Sequence, residues 1–134
     1  MERLNIASTF VGVLTLGVLL SALGTTSTIA GPQKITKLEQ VPFKYGLGQQ
    51  KYAAMCAECH GEWLRGTDKG PPLLHGYYKP GHHGDRAFYG AILKGSQQHH
   101  WDFGDMPPVK GATQEDAQQI IPFVRWLQQA EGLY

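Results

Sequence analysis

The chain is short of cysteine, of net charge and of any strand-like pattern. Cys56 and Cys59 are the only cysteines among 134 residues, so nothing competes for these two thiols. Twelve Lys and Arg stand against eleven Asp and Glu, a net charge of +1, which gives no warrant for nucleic acid or an acidic partner. No internal repeat and no apolar–polar alternation occurs, so the domain is expected to be all-α. Charge is missing altogether between Leu4 and Gln33. Within that stretch residues 10–23 form an apolar run behind Arg3, and Thr28-Ile29-Ala30 places small residues before a cleavage point. Residues 1–30 therefore read as a signal peptide for export to the periplasm. The alternative is an uncleaved anchor, since about 20 apolar residues span a bilayer. The glycines of the segment and the polar Thr25-Thr26-Ser27-Thr28 favour cleavage, and membrane association is expected only if the segment is retained.

What is present is organised around Cys56-Ala57-Glu58-Cys59-His60. Two cysteines three positions apart, with histidine next, read as a c-type haem attachment site. Thiols at i and i+3 lie on one side of a helical turn, each able to add to one vinyl group of the same porphyrin edge. The following imidazole then projects toward the iron. A thioredoxin-like pair belongs beside a βαβ pattern, which is absent. A zinc site needs a second ligand pair at zinc-finger spacing, and a plain disulfide is the remaining alternative in an exported chain. Export and haem attachment agree, because the thioethers form on the far side of the membrane. A mature chain of about 100 residues is marginal for a self-sufficient core, and a covalently held porphyrin supplies a large apolar plate to pack on.

Residues 31–45 read as an extended leader. A short helix over 46–55 feeds the cysteine motif, with Leu47, Tyr52 and Met55 inward and Gly48 permitting close contact. Residues 61–84 are too rich in Gly and Pro for regular structure and are expected to wrap one porphyrin face. Residues 85–94 read as a helix capped by Asp85, with Phe88 and Ile92 on one face and Gly95 ending it. A last helix spans residues 113–132, with Thr113 and Asp116 as a capping pair and Ile120, Val124 and Leu127 as its stripe, flanked by Ile121 and Trp126. Pro122 inside it is expected to bend it or mark its true start.

His60 fills one axial position of the iron, and Met106, in a loop stiffened by Pro107 and Pro108, is the candidate for the other. A thioether favours ferrous haem and raises the potential. His99 and His100 are rival ligands. The carbonyl of Pro71 is the expected partner for the second ring nitrogen of His60. Cys56, Cys59 and His60, then Gly70-Pro71-Pro72-Leu73, then Gly104-Asp105-Met106-Pro107-Pro108 and an aromatic-bearing last helix resemble a class I monohaem cytochrome c of the small bacterial kind. The likeness covers residues 48–127, within a domain drawn at 46–134. It implies a cytochrome c fold of about three to five short helices around one covalent haem c, with His60 and Met106 as metal ligands. It also implies that Gly48 and Tyr52 cross Trp126. Pro71, Leu73 and Trp101 are expected to line the cofactor, and Arg86 and Trp101 are candidate propionate partners.

The expected role is one-electron transfer between redox partner proteins, with Lys51, Lys69 and Lys110 as docking contacts. The alternatives are a haem c subunit of a larger dehydrogenase or oxidase complex, and a haem that binds or senses small ligands. Haem attachment does not explain His75, His82, His83, His99 and His100. A copper or zinc site built from two of these clusters, His82-His83 and His99-His100, is a further alternative, although neighbouring histidines do not easily point at one place.

Overall fold

The computed structural model describes residues 34–134; the expected signal segment lies outside them. Among the described residues there are four α-helices, three short 3-10 turns and no strand: α1 Gly46–Met55, α2 Ala57–His60, α3 Asp85–Lys94 and α4 Gln114–Ala130. The only ladder-type pairing described is an isolated bridge between Ser96 and Met106.

Residues 34–45 are less extended than expected. They form 3-10 turns at Leu38–Gln40 and Phe43–Tyr45. The Gln40 side chain accepts the N–H groups of Thr36 and Lys37 and folds the chain back. Ile35 is fastened to the end of α4, its N–H donating to Glu131 and its carbonyl accepting from Arg65.

α1 and α4 cross closely, and Gly48 is the reason they can. It is buried, and a Cβ built on it would stand 2.1 Å from the Gln119 carbonyl oxygen. Tyr52, four residues on and on the same face, is 1% exposed and meets Phe123 at 5.5 Å between ring centres. The partner of Tyr52 is thus Phe123, not Trp126. Trp126 stacks on Tyr45 at 5.4 Å, seven residues before Tyr52. Leu47 does not face inward; it is 52% exposed. Once Gly48 must face α4, Leu47 is carried about 100° around a helix of 3.6 residues per turn.

α3 buries Phe88 and Ile92, as their i, i+4 spacing requires, and ends at Gly95. Asp85 is its first residue and not its cap; Gly84 precedes the helix, and the Asp85 carboxylate instead accepts from Arg125 Nε at 2.7 Å. α4 begins with a reciprocal cap: Asp116 N–H donates to Thr113 Oγ1, and Thr113 N–H donates to Asp116 Oδ2. Lys51 of α1 pairs with the same carboxylate. These donors hold Asp116 well below the usual carboxylate range, at about 2, with the Lys51 hydrogen bond the largest cause. The helix runs through Pro122 without interruption. Proline deprives the carbonyl four residues earlier of its donor. Both Pro122 and Gln118 are exposed, so the freed carbonyl is open to solvent. The opposite face buries Ile120, Ile121, Phe123, Val124 and Leu127.

Candidate functional site

α1 stops at Met55, and Cys56 breaks from helical geometry before the single turn of α2 carries Cys59 and His60. The loop after it grips the motif from outside. Gly66 N–H donates to the His60 carbonyl at 2.7 Å, and Thr67 Oγ1 to the Cys59 carbonyl at 2.7 Å. Tyr52 Oη donates to the Gly61 carbonyl at 2.8 Å, tying the motif back to α1. His60 Nδ1 lies 2.9 Å from the Pro71 carbonyl oxygen. A carbonyl only accepts, so Nδ1 carries the proton and Nε2 is left with the lone pair, the form in which imidazole binds a metal. Burial pushes His60 below the ordinary histidine range, partly offset by Pro71. Burial, and then the neighbouring Cys59, push the Cys56 thiol up to about 11.

Behind the motif lies a largely apolar cavity of about 420 Å³, within the range of small-molecule sites. Cys56, His60, Pro71, Leu73, Trp101 and Met106 all contribute to its wall. Cys59, which the sequence places beside them, is exposed and does not. Met106 is anchored by its backbone: Ser96 N–H donates to its carbonyl at 2.9 Å, and its N–H donates to the Ser96 carbonyl at 2.8 Å. This pairing needs Gly95, where φ is +81° and a Cβ would stand 2.5 Å from the Met106 oxygen. Residues 96–106 therefore form a loop closed at its base, with Met106 fixed at one end.

The residues fit a porphyrin on a further count. Two buried side-chain polar atoms lack a partner among the described residues, Arg65 Nε and Trp101 Nε1. Of the two residues only Trp101 is on the cavity wall. Its indole N–H is a donor without an acceptor, which a carboxylate entering the cavity would satisfy. The indole lies near the Tyr78 phenol without reaching hydrogen-bond geometry, and it offsets part of the rise that burial imposes on that phenol. Arg86, the other propionate candidate, is exposed and off the wall.

The model of the family described as cytochrome c matches residues 46–128. The chain belongs to the cytochrome c family. The family carries covalently attached haem c, and Cys56, Cys59 and His60 stand in the arrangement that attachment uses. The cytochrome is thus a haem-based electron-transfer protein. No curated protein gives a significant match to it.

Two polar residues on the inner face of α4 escaped the sequence reading of this cytochrome. Arg125 is 9% exposed and Gln128 is fully buried. Arg125 donates to the carbonyls of Tyr78 and His83, both at 2.6 Å, and to Gln128 Oε1 at 2.8 Å. Gln128 Nε2 donates to the Leu73 carbonyl at 2.8 Å. Together they fasten residues 73–83 to α4. Polar positions spaced i, i+3 within the apolar stripe were the available signal. The histidines gather on this stapled segment and on the facing loop. His75 accepts the Tyr77 N–H and packs edge-on against Trp101. The neighbours His82 and His83 do reach one region, because a turn in which both N–H groups donate to the Lys79 carbonyl replaces an extended pair. Burial, then nearby positive groups, lower His83 below its ordinary value, the Tyr77 carbonyl opposing them.

Proposed function

We propose that the cytochrome is a periplasmic carrier of one electron, with one haem c joined through Cys56 and Cys59 and ligated by His60 and Met106. The supporting observation is that His60 and Met106 wall the same apolar cavity, each held by backbone hydrogen bonding. Bound haem c supplies a ferric–ferrous couple. The protein's part is to keep the surroundings of that couple unchanged between the two states. Pro71 fixes the plane and tautomer of His60. The Ser96–Met106 bridge holds the thioether-bearing residue at its loop base. Leu73, Phe88, Ile92 and Val124 exclude water from the cavity and lower the local dielectric. Trp101 Nε1, buried and without a partner, would donate to a haem carboxylate. With His60 and Met106 both holding the iron, small ligands would find no open site.

Partners meet the exposed rim at Cys59. Lys51 and Lys69 are not free to steer them: Lys51 pairs with Asp116, and Lys69 pairs with Glu58 at 2.7 Å. Lys110 is exposed. Such redox encounters are small and weak. The periplasmic assignment rests on the apolar segment and cleavage signal of residues 1–30.

Replacing Met106 tests the reading. The oxidised wild type should show a near-infrared sulfur-to-iron band, and Met106→Ala should abolish it, lower the midpoint potential and open the ferrous form to carbon monoxide. A band that survives the substitution, or a wild type that binds carbon monoxide as fast as the variant, would overturn it.

A further inference from the structure

Two histidine pairs meet at the edge of the cavity, one partner of each from residues 82–83 and the other from residues 99–100. His82 Nε2 stands 3.0 Å from His100 Nε2, and His83 Nε2 stands 3.0 Å from His99 Nε2. His82, His83 and His100 each offer a ring nitrogen, all within 4.8 Å of one another.

The tautomers make the second pair informative. His83 Nδ1 is 2.7 Å from the Tyr77 carbonyl oxygen, and His99 Nδ1 is 2.7 Å from that of Gln97. Both Nδ1 atoms must donate, so in the neutral rings both Nε2 atoms carry lone pairs. Two lone pairs facing each other across 3.0 Å repel unless a positive centre lies between them. Imidazole nitrogens bound at about 2.0–2.1 Å to one ion sit about 3.3 Å apart in a tetrahedral set and about 2.9 Å apart in a square one. The separation within each pair, 3.0 Å, falls between these. The backbone carbonyls that orient His83 and His99 are the outer partners that metal-ligating histidines ordinarily have.

The cluster is also built before any ion arrives. Tyr77 stacks on His100 at 4.1 Å, and Arg125 holds the His83 carbonyl at 2.6 Å. No carboxylate or carbonyl oxygen belongs to the four-nitrogen set, which disfavours magnesium and calcium and suits copper, zinc or nickel.

We propose that His82, His83 and His100, joined by His99 through its pairing with His83, bind one first-row transition metal ion, copper(II) being the tightest. The affinity order follows the general preference of nitrogen sites, which peaks at copper. His83, His99 and His100 also line the cavity that holds His60 and Met106, so the ion would be an immediate neighbour of the haem site. The proposal rests on Met106, and neither His99 nor His100, serving as the second haem ligand.

The test uses the haem-loaded protein, stripped with a chelator and dialysed against copper(II). One copper should remain per haem iron by elemental analysis. Its electron paramagnetic resonance spectrum should show hyperfine splitting from at least three nitrogens, a readout that needs no variant. The double variants H82Q/H100Q and H83Q/H99Q should each weaken copper retention per haem iron at least 100-fold. Copper retained by the wild type below one tenth of the haem, or retained by both double variants at the wild-type level, would overturn the site. In the first case the pairs share a proton only, and in the second the copper is held elsewhere. The haem spectrum of the same samples reports electron-carrier identity separately.

Discussion

Among the described glycines Gly48 has the least room, lying against α4, and adding one methyl group there measures what that contact is worth. The new Cβ of Gly48→Ala would lie 2.1 Å from the Gln119 carbonyl oxygen, 2.9 Å from its carbon and 3.0 Å from Phe123 Cβ. Ordinary contact begins at 3.4 Å, so the nearest pair is short by about 1.3 Å. Two of the three atoms are backbone and have no rotamer to yield. The helices must therefore separate, loosening Tyr52 from Phe123 and the Lys51–Asp116 pair at once. Overpacking of this kind costs about 1–3 kcal/mol, and the backbone contact places this case at the upper end, near 3 kcal/mol. A domain of about 100 residues would then melt at least about 10 °C lower. Gly46→Ala is the control. Gly46 has helical dihedrals, and nothing lies within 4 Å of its added Cβ. That change should stabilise by about 0.4–1 kcal/mol through the unfolded chain. Calorimetry of the haem-loaded protein should give opposite signs. Equal melting temperatures for the two variants would refute the claim that α1 and α4 are in backbone contact at Gly48.

Asp116 sets an acid limb. Its folded pKa of about 2 lies below its ordinary value of 3.8, so its contribution is complete above about pH 4 and fades as pH falls toward 2. The melting-temperature gap between wild type and Asp116→Asn should accordingly be widest at pH 5 and shrink toward pH 2; a constant gap would exclude this linkage. Arg125→Met keeps the stem over Phe88, where the guanidinium sits 4.5 Å from the ring centre, but frees the Tyr78 and His83 carbonyls. It should cost about 3 kcal/mol and raise hydrogen exchange in residues 76–85 more than in α1; uniform exchange would argue against a local staple.

Residue types at short spacing settled much of this protein. The Cys-x-x-Cys-His run, the Thr113–Asp116 cap, the Phe88–Ile92 pair and the Pro71 partner of His60 are local chemistry, in which neighbours along the chain or a single acceptor decide the outcome. The orientation of Leu47, the role of Asp85 and the partner of Tyr52 were misread for a common reason. Each is decided by the crossing of α1 with α4 or by Arg125, contacts that join residues far apart in sequence. Arg125 and Gln128 stand out in sequence as polar positions within the apolar stripe, but what they anchor does not, because their acceptors are backbone carbonyls, which every residue has. The histidines show the division most clearly. The sequence counts them and places them in pairs, but only the folding of residues 75–84 against residues 96–104 brings ring nitrogens to 3.0 Å, because that approach is set by loop closure and not by spacing.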